Sequence, residues 1–380
     1  MAALRRLLLA LVVAALLAAA AAPAASAAHT SAESVILYEP RTGTVLYELD
    51  ADSRRLIAST TKIMTALVVL ERCALSERVV ATEEEAAVEG SSMYLMAGAV
   101  YTVEELLYGL MLLSGNDAAA ALADHCAGDM ASFAALMNEK AEELGLHNTH
   151  FMNSHGLDAE DHYSSARDLA LLTAAAMENR AFSRIFGTRT YTLCGTKIEN
   201  HNKLLASYEG CLGGKTGYTK AAGRVLVSCA ERDGLRLICV TISDPDDWVD
   251  HAALYDAAFA TYRYLPLPDS SWAQLPLISG TKDRVQLVCD EPGFIVPKSV
   301  DAHLIVRLPR FVFAPTIHGL PLGTAELYVD GRLLETVDIS ASESVPLDSG
   351  VPLSAWERFK RAWFPALYGD GQAVRTMLTF

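Results

Sequence analysis

The apolar residues of this chain change their spacing along the sequence, and that change restricts the possible folds. Several segments between Ile63 and Met177 have the 3.6-residue spacing of helices. From Arg224 to Ser243 apolar and polar residues alternate, as in two strands joined by a turn at Asp233-Gly234. Two further strands are predicted between Val35 and Leu49. This order predicts an α+β domain, in which helices flank an antiparallel sheet, and argues against a doubly wound parallel sheet.

Polar residues at the starts of helices support this interpretation. Thr102 with Glu105 has the spacing of a capping box, and Ser165 with Asp168 is a variant of it. The pattern also predicts a long helix from Trp248 to Tyr264.

The first 27 residues have the features of a signal peptide. Arg5 and Arg6 precede an apolar run from Leu7 to Ala22, and Ala25-Ser26-Ala27 supplies small residues for cleavage. An uncleaved membrane anchor is the alternative, but the run is short for a spanning helix. We therefore expect an exported protein, located in the cell wall or at the outer face of the cytoplasmic membrane.

Composition changes near residue 265, where prolines become frequent and short alternating segments follow. The sequence predicts one domain over residues 28–265 and a small all-β domain over residues 266–350, with a hairpin at Asp330-Gly331.

The last segment, residues 351–380, has a different character. Trp356, Phe359 and Trp363 lie on one helical face beside basic residues, which is typical of a helix at a membrane surface. Packing of this amphipathic tail on its own domain is the alternative. Peripheral membrane contact is therefore one of two predictions for the tail.

Charge and the remaining polar residues exclude other classes of function. The formal net charge of −15 argues against nucleic-acid binding, which needs a basic surface. Seven cysteines show no CxxC spacing; Cys73 and Cys126 are predicted as small core residues, and a Cys194–Cys211 disulfide is possible. Four histidines, at positions 147, 150, 155 and 162, are predicted on the surface because their spacing is irregular.

Three short motifs carry the chemistry. They are Ser59-Thr60-Thr61-Lys62, Ser114-Gly115-Asn116 and Lys215-Thr216-Gly217. Residues three apart on a helix share a face, so Lys62 can reach the hydroxyl of Ser59 and act as its base, provided that its pKa is lowered. Lys215 is a suitable second cation for that purpose. A second S-x-x-K at Ser279 is rejected because no helix pattern follows it.

These motifs resemble those of the D-alanyl-D-alanine carboxypeptidases, the low-molecular-mass penicillin-binding proteins of bacteria. The resemblance lies in Ala58 to Ala66, Leu113 to Ala118, Asn153 to Asp168 and Gly214 to Thr219. It covers roughly residues 34–264 and extends more loosely into the β-rich region.

The resemblance implies a mechanism and a substrate. Ser59 would attack the peptide carbonyl of a peptidoglycan stem peptide and release D-alanine, with Lys62 as base. Ser114, Asn116 and Lys215 would relay a proton to the leaving amine and position the substrate.

The same resemblance implies that Thr216 binds the terminal carboxylate of the substrate. The N–H groups of Ser59 and Tyr218 would form an oxyanion hole beside Gly217. No cofactor or metal is needed, and β-lactam antibiotics would acylate Ser59.

Other functions remain open at this stage. The same motifs serve D,D-endopeptidases, transpeptidases and β-lactamase-like esterases, although Gly115 replaces the Asp of class A β-lactamases. A non-enzymatic cell-wall scaffold is the third possibility. The presence of Ser59, Lys62 and Lys215 opposes it.

Overall fold

The computed structural model describes residues 30–267, 273–289 and 291–348, together with the backbone of residues 374–378. The predicted signal peptide and the predicted tail helix lie outside these residues, whereas Val374–Leu378, at the end of the segment predicted as an amphipathic tail, forms a strand. The described chain divides into two compact units, one ending at Ala260 and one beginning at Thr261. In the described part of the chain, every helix is too short or too polar to cross a bilayer.

The first unit contains the predicted mixture of helices and strands. In chain order its elements are β1 (Ser34–Glu39), β2 (Thr44–Leu49), α1 (Lys62–Arg72), β3 (Arg78–Val80), α2 (Glu83–Ala86), β4 (Val100–Thr102), α3 (Val103–Leu112), α4 (Asn116–Ala127), α5 (Met130–Glu143), α6 (Ala166–Glu178), α7 (Arg180–Phe186), β5 (Thr190–Leu193), β6 (Thr196–Glu199), α8 (Leu204–Ser207), β7 (Cys211–Thr219), β8 (Gly223–Arg232), β9 (Leu235–Ile242) and α9 (Asp247–Thr261).

One antiparallel sheet organises this unit. Its strand order is β2-β1-β9-β8-β7, so β7 forms an edge. The turn between β8 and β9 has positive φ at Asp233 and Gly234, as a tight hairpin requires. Apolar faces of the helices and the sheet share one core, to which α1 contributes the fully buried Ile63 and Met64. The predicted α+β class, with helices beside an antiparallel sheet, is confirmed.

The predicted helix starts are confirmed in part. Thr102 and Glu105 form a complete capping box, with hydrogen bonds in both directions. The Ser165 hydroxyl accepts from the N–H of Asp168, but the Asp168 carboxylate accepts from residues 148 and 149 instead of closing the box. The side chain of Asp is one methylene shorter than that of Glu, which explains why it binds a neighbouring loop.

The second unit is all β in its described part, apart from the last residue of α9. Its strands are β10 (Tyr262–Pro266), β11 (Gln274–Ile278), β12 (Arg284–Cys289), β13 (Gly293–Pro297), β14 (Ala302–Leu308), β15 (Val312–Phe313), β16 (Pro321–Val329), β17 (Arg332–Ala341) and β18 (Val374–Leu378). Seven of them form a sheet in the order β15-β11-β12-β17-β16-β14-β18, and β10 pairs with β13. The hairpin predicted at Asp330-Gly331 joins β16 and β17.

One predicted element ends in the wrong place. The helix predicted up to Tyr264 stops at Thr261, and Tyr262–Pro266 forms a strand that pairs with Gly293–Pro297. Residues 262–266 include two tyrosines and a proline, which suit a strand better than a helix, and a partner distant in sequence completes their hydrogen bonds. All seven cysteines are free thiols, so the Cys194–Cys211 disulfide is not formed in this structure.

Candidate active site

The three motifs meet in two hydrogen-bonded groups, one of three residues and one of two. Ser59 lies in a 3-10 turn that leads into α1, and Lys62 is the first residue of that helix. The Lys62 Nζ atom lies 2.9 Å from Ser59 Oγ and 2.7 Å from Asn116 Oδ1 at the start of α4. Across from them, Lys215 on β7 donates to Ser114 Oγ at 2.9 Å. The structure therefore brings together all five predicted catalytic side chains.

The environment of Lys62 favours a neutral amine. Its side chain is fully buried, and burial together with the nearby charge of Lys215 lowers its pKa well below the usual value. A neutral amine has two N–H groups and one lone pair. The carbonyl oxygens of Asn116 and His155 (the latter at 2.5 Å) accept hydrogen bonds and cannot donate them. Both N–H groups can therefore be bound there, which leaves the lone pair for the Ser59 hydroxyl.

Lys215 is a second buried amine with a different environment. Burial lowers its pKa to about 7, so a substantial fraction carries a proton near neutrality. Besides Ser114 Oγ, it donates to the backbone oxygen of Thr216 at 2.7 Å. Lys62 and Lys215 thus suit opposite roles, the first as a base and the second as an ammonium.

Backbone geometry holds Ser59 close to β7. Ala58 and Ser114 both have positive φ, which is uncommon for residues with side chains and typical of functional sites. A Cβ atom on Gly217 would lie 3.0 Å from the Ile57 oxygen and 3.1 Å from the Ser59 nitrogen. Glycine at this position lets β7 approach the nucleophile turn.

β7 also provides the predicted substrate-binding residues. It pairs with β8 on one side only, so its other side can accept an extended peptide. Thr216 is half-buried, Gly217 is buried, and Tyr218 is 66% exposed.

Asp117 is an important residue that the sequence did not single out. Its buried carboxylate accepts from the Ser92 hydroxyl at 2.6 Å and from the N–H groups of Met93 and Leu95 at 3.0 Å. It therefore ties the loop over residues 92–95 to the start of α4, next to Asn116. The only available signal was its position directly after Ser114-Gly115-Asn116.

The loop at residues 153–157 supports the nucleophile turn from another side. Gly156 has a positive φ, and a Cβ atom there would lie 2.0 Å from the Ala58 oxygen. Asn153 holds this loop in shape by accepting from the Gly156 N–H and donating to the Leu157 oxygen.

The surface prediction for the histidines is wrong for His162. This side chain is 2% exposed, its Nε2 lies 2.8 Å from Thr61 Oγ1, and its Nδ1 accepts from the Met152 N–H. His155 is half-buried, and burial plus the charge of Lys62 lowers its pKa to about 4. His147 is exposed, as predicted. Irregular spacing in sequence did not reveal that this loop folds against α1.

Taken with the fold, this arrangement defines a class of enzyme: a serine acyl-transfer enzyme whose base is a lysine one helical turn from the nucleophile. The family model for D-alanyl-D-alanine carboxypeptidases matches residues 20–246. The chain therefore belongs to the D-alanyl-D-alanine carboxypeptidase family, and it is a serine peptidase of that type.

Individual relatives agree with this assignment. The chain is 33% identical to the D-alanyl-D-alanine carboxypeptidase DacF of Bacillus subtilis over 353 residues, which are 87% of this chain and 91% of that protein. DacC of Escherichia coli is 33% identical over 342 residues, covering 84% of this chain and 85% of DacC. The crystal structure of penicillin binding protein 5 from Haemophilus influenzae has a TM-score of 0.69 at 28% identity, over 84% of this chain and 98% of that one.

Proposed function

We propose that Ser59 removes the terminal D-alanine from peptidoglycan stem peptides through an acyl-enzyme. The observation that supports this most strongly is the pair of amines on either side of the nucleophile, Lys62 beside Ser59 Oγ and Lys215 beside Ser114 Oγ. Residues 28–265 would form the peptidase domain and residues 266–350 a separate β-rich domain.

The acylation step uses both lysines. Neutral Lys62 takes the proton of Ser59, whose Oγ attacks the carbonyl carbon of the penultimate D-alanine. The N–H groups of Ser59 and Tyr218 stabilise the oxyanion. As the peptide C–N bond breaks, the Lys215 ammonium passes a proton through the Ser114 hydroxyl to the leaving amine.

Deacylation reverses these proton transfers with water. Water gives one proton through Ser114 to Lys215 and attacks the acyl carbon as hydroxide. Ser59 Oγ leaves and regains its proton from Lys62. The balance is one water consumed and one D-alanine released, and both lysines return to their starting states.

Recognition of the substrate relies on β7. The extended peptide would pair along the free side of this strand, with Thr216 and the Lys215 ammonium at its terminal carboxylate. β-Lactams carry a carboxylate and a strained amide in a similar arrangement, so they would acylate Ser59. Ring opening leaves the departing amine attached to the acyl group, where it hinders the approach of the deacylating water, so the adduct is expected to persist.

Labelling with a fluorescent penicillin tests the nucleophile. A stable adduct on the peptide that contains Ser59, absent in Ser59→Ala, is expected. Release of D-alanine from a diacylated peptide ending in D-Ala-D-Ala tests the reaction itself. If correctly folded protein forms no adduct, the acyl-enzyme mechanism is refuted. A non-enzymatic cell-wall scaffold would then be the better interpretation.

Transpeptidation is a second candidate, because the solved neighbours include a DD-transpeptidase of Streptomyces K15 at 36% identity, with a TM-score of 0.59 over 61% of this chain and 99% of that one. It differs only in the acceptor of the acyl group. Addition of an amine acceptor such as glycylglycine would divert the acyl group to a new peptide if the chain is a transpeptidase. Hydrolysis alone supports the carboxypeptidase.

Export and peripheral membrane contact are also part of the proposal. The first 27 residues support secretion, and the aromatic face in residues 351–380 supports contact with a membrane surface. Replacement of Trp356, Phe359 and Trp363 by serine leaves β18 in the sheet, and it is expected to abolish binding to anionic liposomes without loss of peptidase activity. Equal liposome binding by the substituted and unaltered chains would reject the anchor.

A further inference from the structure

The two helices that carry Lys62 and Asn116 also come together at their other ends. Helix α1 starts at Lys62 and ends at Arg72, with Cys73 as its C-terminal cap, and α4 runs from Asn116 to Ala127. An eleven-residue helix is about 16 Å long, so this second meeting point is well separated from the nucleophile. Neither the family assignment nor the proposed reaction gives it a role.

Three side chains with metal-binding atoms converge there, and a second thiol lies beside them. Cys73 Sγ, a carboxylate oxygen of Glu77 and a ring nitrogen of His125 all lie within 4.8 Å of one another. The thiol of Cys126 lies beside that of Cys73 and is next to His125 in the chain, but it is outside this group of three and would have to turn toward the ion to become a fourth ligand. Two sulfurs, one imidazole and one carboxylate form a ligand set that zinc prefers in tetrahedral sites.

The distance between the imidazole and the carboxylate is close to that between two ligands of one zinc ion. His125 Nε2 lies 2.9 Å from Glu77 Oε2. In a tetrahedral site with bonds of ~2.0 Å, two such ligand atoms would be about 3.3 Å apart. The two groups would therefore need to separate by only about 0.4 Å to replace a shared proton with an ion.

The carboxylate already has a second interaction that orients it. Glu77 Oε1 accepts from the N–H of Ala74 at 2.6 Å, which leaves Oε2 directed at His125. Hydrogen bonds of this kind hold the ligands of metal sites in position.

Electrostatics at this place favour a cation. The C-terminal ends of α1 and α4 each carry a partial negative charge, and Glu77 adds a full one. A bound ion would displace the thiol protons, since the thiolate is the form that binds metal.

We propose that Cys73, Glu77, His125 and Cys126 bind one zinc ion. The ion joins the far ends of α1 and α4 and so stabilises the helix pair that holds Lys62 beside Asn116. Its role is structural, because the chemistry at Ser59 involves none of these residues. The ligands come from a C-x₃-E segment and from an adjacent His-Cys pair that begins 52 positions after Cys73.

Metal titration of the full chain tests this site. Protein kept reduced under anaerobic conditions is expected to retain one zinc per chain after dialysis and to gain about 5–10 °C in Tm over chelator-treated protein. Cobalt, used as a spectroscopic probe, is expected to give sulfur-to-metal charge-transfer bands and the visible bands of a tetrahedral ion.

Matched cysteine variants assign the ligands. Cys73→Ser and Cys126→Ser should each lose the bound zinc and the cobalt–sulfur bands, whereas Cys194→Ser, which changes an exposed thiol elsewhere, should keep both. His125→Gln should weaken binding at least tenfold. Zinc retained by Cys73→Ser, a reduced chain that binds no metal, or a Cys73–Cys126 disulfide found by mass spectrometry in place of metal would each overturn the proposal.

Discussion

The two units of this protein differ in what they bury. The first unit encloses the side chains of Lys62, Lys215 and Asp117, each almost fully buried. In the described part of the second unit, Thr316 is the only buried polar side chain and no charged one is buried. Burial of a charge is unfavourable unless it is paired or neutralised. In the described residues, the second unit therefore buries almost only apolar side chains, while the first unit also buries the ionisable groups of the proposed site.

The largest expected loss of activity comes from removing the amine of Lys62, the proposed base. Lys62→Met keeps much of the side-chain volume and removes the amine, so acylation by penicillin should fall by about 10⁴-fold. Unfolding stability should stay the same or rise, because a buried polar amine is replaced by an apolar group. Stopped-flow acylation and thermal unfolding measure the two effects. Lys197→Met, at an exposed position, is the control and should change neither.

Removal of the second amine tests the assignment of Lys215 as the ammonium. Lys215→Met should lower kcat/KM for D-Ala-D-Ala peptides by roughly 10²–10³-fold, since the terminal carboxylate loses its charged partner. In the unaltered protein kcat/KM should fall as pH rises through about 7, where Lys215 loses its proton. A profile that keeps rising above that pH would instead assign the required proton to another group.

The same lysine makes stability depend on pH. Unfolded lysine binds a proton below its usual pKa of 10.5, whereas folded Lys215 does so only below about 7. Between these values the unfolded state holds more protons, so the free energy of unfolding should increase with pH over this range. Denaturation at pH 7 and pH 9.5 should show a smaller increase for Lys215→Met than for the unaltered protein.

Weakening the contact between Asp117 and the loop over residues 92–95 should have an intermediate effect on activity. Asp117→Asn keeps the shape but places an amide group among donors from Ser92, Met93 and Leu95. We expect a loss of about 2–4 kcal/mol in unfolding free energy and roughly tenfold in acylation rate. Ser92→Ala, which removes one of these donors, should give a smaller change in both measurements.

The smallest effect on activity is expected in the second unit. Leu304 is 1% exposed in its core, so Leu304→Ala should lower the stability of that unit by about 2–4 kcal/mol. The acylation rate should change by less than about 2-fold, because charge and chemistry lie in the other unit. If acylation instead became tenfold slower, the second unit would also contribute to the reaction, and the difference in buried groups would not correspond to a difference in function.

The local elements and the catalytic motifs could be predicted from sequence because their information is local. Ser59 and Lys62 are one helical turn apart, and the turn at Asp233-Gly234 has its own signature. The anchor at Asp117 and the buried His162 could not be predicted, because each depends on a loop that folds back against a helix. The end of α9 was misplaced for the same reason: a strand distant in sequence competes for residues 262–266.

The fixed position of the Lys62 amine has a consequence for the timing of the catalytic cycle. Two carbonyl oxygens accept its N–H groups, and its remaining direction points at Ser59 Oγ. A proton taken from that oxygen during acylation can return to the same oxygen during deacylation along the same 2.9 Å line. The side chain needs no rotation between the two half-reactions. In the proposed mechanism Lys62 would therefore hold the proton between the two half-reactions and return it without moving.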